Sequence, residues 1–307
     1  MPGKVSIIGA GNVGTASAFA LALDGAASDI VLLDRNLKKA EGEVLDLMHG
    51  SSFLPYTNFK GSKNYRDIQD SDIVVITAGA AQAPGQTRLD LLTTNLKILH
   101  GIVTEVKRQA PHCIMLIVTN PVDILTYFAK QYSGFPHHHV IGSGTVLDTA
   151  RFRAYLAQHF KVSPHHVDAY VLGEHGNSSF PVISTASVQS VPLTVFPGYH
   201  KSDIQRIHAQ VVQVVYDIIK KKGATNLAIG VCVTQLVRAI LYNTHEVYPV
   251  SSVLRGEYGI HDVAVSTPSV LGKRGIEKEL VLPLNQTEKT ALRRSVAILK
   301  RAIRSVH

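Results

Sequence analysis

The sequence has no long apolar run, no internal repeat, no low-complexity tract and only two cysteines. A bilayer-spanning helix needs about 20 consecutive apolar residues, so no membrane segment is expected. The chain enters a strand at once, Lys4-Val5-Ser6-Ile7-Ile8, without the layout of a signal peptide, which reads as cytoplasmic. Cys113 and Cys232 each sit in an apolar run, as reduced buried thiols do, and lack the partners of a metal site. The run Pro136-His137-His138-His139 is expected in an exposed turn, because three adjacent histidines in an extended segment cannot all face one ion. No metal is therefore expected. The formal charge of +8 raises nucleic acid as a partner, but the basic residues form no stripe interleaved with aromatics. They gather at Lys220-Lys221-Lys222 and along the last segment, as solvated helix faces, where their field can still collect small anions.

What is present is an ordinary folded chain. At 307 residues, 45% hydrophobic and 18% charged, it can bury a large core and has the length of two domains. The β-branched run at residues 4–8 leads into Gly9-Ala10-Gly11-Asn12-Val13-Gly14, then a helix-like apolar pattern, then Ile30-Val31-Leu32-Leu33 ending at Asp34. Strand, glycine loop, helix, second strand and an acid twenty residues beyond Gly14 together form a dinucleotide-binding pattern. Gly9 turns the chain, Gly11 admits a pyrophosphate at the helix N-terminus, Gly14 lets helix and strand pack, and Asp34 takes the ribose hydroxyls. Its charge favours NAD over NADP. Further strands are expected over residues 72–80 and 113–119, with a helix from Leu89 to Arg108 between them. That alternation predicts an α/β fold: a doubly wound parallel Rossmann sheet over residues 1–142, with ligands at the strands' carboxyl ends.

An α+β domain for substrate and catalysis is expected over residues 143–307. Ser143 to Leu156 reads as a helix with Asp148 and Arg151 on one face. Helices are expected from Ser202 to Lys222 and from Thr225 through Leu241, and strands at 247–253, 263–265 and 280–282. Leu292, Val296, Leu299, Ile303 and Val306 mark the apolar face of a last helix. The chain is organised around Val171-Leu172-Gly173-Glu174-His175-Gly176-Asn177-Ser178-Ser179, which reads as a buried strand running into a glycine-flanked histidine. With an ordinary pKa of about 6.5, such a histidine is a candidate acid/base.

These motifs, with the Pro/Gly-containing loop from Ala81 to Arg88 and Asn120-Pro121-Val122-Asp123, resemble the lactate/malate dehydrogenase family over essentially the whole chain. The resemblance implies reversible hydride transfer between NAD(H) and a small 2-oxo/2-hydroxy acid, by a homo-oligomer, expected as a tetramer. It makes His175 the proton donor and acceptor, Asp148 its partner, Arg151 the substrate-carboxylate clamp and Arg88 the stabiliser of the developing oxyanion. Gln82, Asn120 and Thr225 fall at substrate positions. Val13, Asp34, Lys39, Tyr65, Gly79, Ala80, Val118, Asn120, Ser143 and Ile229 fall at cofactor positions, with the glycines of the loop.

Gln82 stands where the malate branch has arginine, which implies pyruvate and L-lactate as the substrate pair. Asn177 and Asn226 depart from the pattern and imply a broader 2-hydroxy acid range as the alternative. A non-catalytic NAD-binding module, a reading of another class, would not need the catalytic set. In the effector site that related bacterial enzymes use for fructose 1,6-bisphosphate, Arg153 keeps the basic residue and Asp168 replaces a histidine. Little or no activation is expected, with Asp168 free to pair with an arginine across a subunit interface instead.

Overall fold

The computed structural model describes residues 3–80 and 88–306. Its spine is a single nine-stranded sheet. Six parallel strands come from the first half: β1 (Lys4–Ile8), β2 (Asp29–Leu33), β3 (Asn58–Ser62), β4 (Ile73–Ile76), β5 (Ile114–Ile117) and β6 (Val140–Gly142). They lie in the order β6-β5-β4-β1-β2-β3, so the chain reverses direction across the sheet between β1 and β4. A crevice opens at such a switch point, outside the carboxyl ends of the strands.

Successive strand residues face opposite sides, and both sides are covered. Ile73 and Val75 join one apolar cluster with α1 (Asn12–Asp24) and α2 (Leu37–His49). Val74 and Ile76 join another with α3 (Arg88–Gln109) and α4 (Val122–Ser133). Strands buried on both faces read as unbroken apolar runs, the pattern seen in the sequence.

The second half builds one small sheet of its own and also extends the large one. After α5 (Val146–Phe160), β7 (Val167–Leu172) pairs with β8 (Phe180–Val188) and β9 (Val191–Pro192) in a small antiparallel sheet, which packs with α5 and α6 (Lys201–Lys222) in a third cluster. α7 (Leu227–Leu241) then returns to α1. The strands β10 (Val247–Arg255), β11 (His261–Gly272) and β12 (Gly275–Glu279) extend the large sheet antiparallel from β6, through the pair Ser251 and Gly142. α8 (Gln286–Arg304) closes the chain with a full capping box at Asn285 and Glu288. Its Leu292, Val296, Leu299 and Ile303 are buried as expected, and Val306 packs just beyond the helix end.

Four expectations are corrected. Residues 280–282 are not a strand. The Leu280 N–H still donates to Pro268 O of β11 at 2.8 Å, but the Leu282 N–H turns to the Tyr258 hydroxyl at 2.8 Å and Pro283 follows, so the pairing goes no further. The helix expected from Ser143 starts at Val146, because Ser143 first donates its N–H to Ile117 O at 2.8 Å and prolongs the strand region. Thr225 precedes α7 rather than opening it. The three histidines form a half-buried 3-10 turn, with His137 Nε2 3.0 Å from Arg255 Nη2. Among the described residues no helix is long and apolar enough to cross a membrane, and no group of three or more potential ligands is placed to hold a metal ion.

Candidate active site

The histidine loop is fixed from three sides. Gly173 ends β7 with φ 95°, and a Cβ there would lie 2.7 Å from Ser295 Oγ on α8, so only glycine fits. Its main chain exchanges hydrogen bonds with Ser266 of β11 at 3.2 and 3.1 Å. α5 is tied to the same strand, with the Thr145 hydroxyl donating to Val171 O at 2.6 Å and Val171 N–H donating to Thr149 Oγ1 at 2.9 Å. The first turns of α5 therefore face the loop.

Across that joint His175 Nδ1 lies 2.6 Å from Asp148 Oδ2, while Asp148 Oδ1 lies 3.5 Å from Arg151 Nη1. The Asp148 and Arg151 side chains are nearly buried, whereas His175 keeps 24% of its side chain exposed. The Asp148 charge, opposed by burial, raises the His175 ring from 6.5 to about 9. Burial alone would raise the Asp148 carboxyl, yet the charge and hydrogen bond of His175, with Arg151 beside them, hold it below the usual carboxylate range. The result is an imidazolium with a fixed orientation, a quarter open, next to a guanidinium. Such a pair can bind an anion and give it a proton.

The glycine loop divides its labour. Gly9 has φ 112°, and a Cβ there would lie 2.7 Å from Ala78 N; one at Gly14 would lie 1.8 Å from Gly9 O. One at Gly11 would meet nothing within 4 Å. Gly9 and Gly14 permit close packing, and Gly11 faces open space at the start of α1, where no side chain caps the helix. Free N–H groups and a positive helix end meet there, which suits a phosphate. Asp34 stands at the end of β2, its carboxylate accepting Ala10 N–H at 2.8 Å and Asn36 N–H at 2.9 Å. The loop and the ribose-binding candidate are thus one unit, and these residues fit a dinucleotide.

The other expected cofactor residues fall around this crevice to different degrees. Gly79, Ala80, Val118, Asn120 and Ser143 gather just beyond β4, β5 and β6. Val13 and Ile229 pack against one apolar cluster from the first turns of α1 and α7, which approach so closely that a Cβ on Gly230 would lie 2.6 Å from Ala16 O. Tyr65 is half-buried against α3, its hydroxyl pushed up to about 12 by burial and by Glu105. Lys39 is exposed on α2 and Thr225 half-buried before α7. Gln82 lies outside the described residues, and Arg88 is described only as the first residue of α3.

Residues 3–142 match the model of the lactate/malate dehydrogenase NAD binding domain, and residues 145–307 that of the lactate/malate dehydrogenase alpha/beta C-terminal domain. The chain belongs to the lactate/malate dehydrogenase family. It is 44% identical to the L-lactate dehydrogenase of Acetivibrio thermocellus, covering 99% of this chain and 97% of that one. The L-lactate dehydrogenase of a Geobacillus species is also 44% identical, with coverage of 97% and 94%. Among solved structures, the minor L-lactate dehydrogenase from Enterococcus mundtii in a ligands-bound form superposes with a TM-score of 0.96 at 40% identity, covering 99% of this chain and 98% of that chain.

Within this dehydrogenase framework two residues that depart from the pattern find partners. The Asn226 side chain accepts from Lys222 Nζ at 2.7 Å and approaches Asn12 O at 3.5 Å. It faces the glycine loop through these contacts, on the cofactor side of Thr225. Asp168 finds its arginine within its own chain: Arg153 Nη2 lies 3.2 Å from Asp168 Oδ1, and Arg153 Nε donates to Ala169 O at 2.8 Å.

Sequence reasoning also gave no role to two polar residues. Asn95 of α3 accepts from Ala80 N–H at 2.8 Å and donates to Asn120 O at 2.9 Å, joining the ends of β4 and β5. Asp123, in the first turn of α4, accepts the His175 N–H at 2.7 Å and the Ser251 hydroxyl at 2.6 Å. A buried polar residue inside an amphipathic helical pattern was the only available signal, as with Asn95 at 2% exposure.

Proposed function

We propose that the protein is an NAD-dependent L-lactate dehydrogenase, with residues 1–142 binding the dinucleotide and residues 143–307 supplying the acid chemistry. The observation that carries this reading is the His175, Asp148 and Arg151 constellation beside an open glycine cradle, in a family whose near-full-length relatives are named L-lactate dehydrogenases. Bound nicotinamide supplies the hydride that reduces the 2-oxo carbon of pyruvate.

The chain does the rest. Gly9, Gly11 and Gly14 with Asp34 hold the dinucleotide, and Gly79, Ala80, Val118, Asn120, Ser143, Tyr65, Lys39, Val13 and Ile229 line it. Arg151 receives the substrate carboxylate through two parallel hydrogen bonds. His175 gives its proton to the carbonyl oxygen as hydride arrives at carbon, so the oxygen stays on that carbon as a hydroxyl. Asp148 holds the imidazolium before transfer and the tautomer after it. Arg88 stabilises the charge growing on the oxygen, while Asn120 and Thr225 shape the pocket. Gln82 presents a neutral amide, which accommodates a methyl group and leaves a second carboxylate without a countercharge.

The active assembly on this reading is a homo-oligomer, a tetramer, in the cytoplasm. Supporting association, α1 exposes Phe19 and Leu23 and the adjacent α7 exposes Leu227 and Val231, at 49 to 64%. Four large apolar side chains on neighbouring helices suit a second copy.

The test is NADH oxidation, followed by absorbance, with pyruvate, oxaloacetate and 2-oxoisocaproate, alongside light scattering for mass. A higher kcat/KM for pyruvate than for the other two acids supports the proposal. Preference for the branched acid favours the broader 2-hydroxy acid reading, to which Asn177 points, and no turnover with any acid refutes an enzyme of this class.

A further inference from the structure

The motif Asn120-Pro121-Val122-Asp123 leaves its last residue without a task. Asp123 is 2% exposed, and a carboxylate so buried needs a reason. Both its oxygens are committed. Oδ2 accepts the main-chain N–H of His175 at 2.7 Å, and Oδ1 accepts the hydroxyl of Ser251 at 2.6 Å. Asp123 therefore joins three elements: the start of α4, the histidine loop after β7, and β10 at the seam where the two halves of the sheet meet.

We infer that Asp123 is a positioning residue for His175, a second carboxylate that fixes the histidine's main chain and whose charge favours the protonated ring. This rests on the reading of His175 as the acid. Asp148 grips the ring at Nδ1 from α5 and Asp123 the main chain from α4, so the histidine is held at side chain and backbone by anions on separate helices.

The groups facing Asp123 set its charge. Burial pushes its carboxyl up to about 6, while the Ser251 and His175 hydrogen bonds and the His175 charge oppose that and Glu174 on the same loop reinforces it. The first turn of α4, where Asp123 sits, adds the positive end of a helix dipole. Above pH 6 the aspartate is ionised. Its charge then acts on the ring in the same sense as that of Asp148, and Arg151 acts against both.

The substitution that separates charge from shape is Asp123→Asn, whose amide oxygen still accepts the His175 N–H. Two readouts report the ring. One is the pH dependence of kcat/KM for pyruvate. The other is the rate of diethyl pyrocarbonate modification of His175, mapped by mass spectrometry in NADH-free protein, which requires no turnover and survives a failure of the lactate dehydrogenase reading. Both midpoints are expected to move to lower pH by about half a unit or more, roughly threefold in proton affinity, with NADH affinity unchanged. A purely structural aspartate would lower the melting temperature and leave both midpoints in place. Midpoints within about 0.2 unit of the parent, below a twofold change, overturn the inference.

Where Asp123→Asn fails to fold, the parent protein labelled with 15N-histidine provides the measurement, the His175 amide being assigned by difference from His175→Asn. That amide is expected to shift with an inflection near pH 6 as its acceptor ionises. An amide that holds still from about pH 5 to 8, across the range where such a carboxyl titrates, overturns the inference equally.

Discussion

Replacing Asp148 with asparagine should move the whole pH profile of the enzyme. The wild-type ring is raised from 6.5 to about 9, a preference for the imidazolium of about 3 kcal/mol at 1.36 kcal/mol per unit. Most of that comes from the carboxylate 2.6 Å away, and burial works against it. An amide keeps the volume but loses the charge, so burial and Arg151 outweigh the smaller contribution of Asp123 and the ring falls to the ordinary histidine value or below. At pH 8 the parent ring is about 90% protonated and the variant at most about 3%. Reduction of pyruvate needs the protonated ring, so kcat/KM at that pH should fall about thirtyfold from protonation alone, and further from the lost tautomer and orientation. The sign is testable in both directions. Parent reduction should fail as pH rises through about 9, whereas lactate oxidation, which needs the neutral ring, should rise through the same midpoint. Stopped-flow rates at saturating cofactor from about pH 5.5 to 10, a span that brackets both ring values, follow both limbs. A variant whose falling limb stays within half a unit of the parent's would show that Asp148 does not set the charge of His175.

Arg151→Lys should raise the pyruvate KM about tenfold or more, because one of two charge-assisted hydrogen bonds is lost. An unchanged KM in steady-state assays contradicts the clamp. Gln82→Arg should raise the oxaloacetate/pyruvate ratio of specificity constants by orders of magnitude, since it supplies a countercharge for one acid and leaves a cation unpaired for the other. A variant as selective for pyruvate as the parent removes Gln82 from the pocket. Fructose 1,6-bisphosphate should leave the pyruvate saturation curve hyperbolic and unmoved, because Arg153 is already engaged by Asp168 and a phosphate would meet the carboxylate. A several-fold drop in half-saturation with millimolar effector refutes that, and Asp168→His should introduce such a response.

Local signals reached a long way into this chain. The glycine loop, the apolar strands and the acid at Asp34 are legible because each is a backbone or burial requirement written in consecutive residues. His175 stood out because glycines flank it. What stayed hidden depends on partners far apart in sequence. Asp123 meets Ser251 across 128 positions and His175 across 52, and nothing near Asp123 announces either contact. Asn226 was judged by its neighbour Thr225, whereas its side chain turns to Lys222 and Asn12. Residues 280–282 imitate a strand in composition, but after the one bond from Leu280 to Pro268 O a tyrosine hydroxyl and a proline end the pairing.

The pairing of Ser251 with Gly142 also bears on how the chain can be cut. A fragment ending at Gly142 would contain the complete glycine loop and every parallel strand, yet β6 would become an open edge. Its Val140, Ile141 and Gly142 are all buried in the full chain, so the fragment would present unpaired main-chain groups flanked by apolar side chains, a template for joining another strand. It would also lack α7, whose Val233, Leu236 and Val237 are fully buried against the cluster that includes α1. The first half of the sequence is therefore a binding unit without being a folding unit, and expressed alone it should aggregate rather than bind nucleotide.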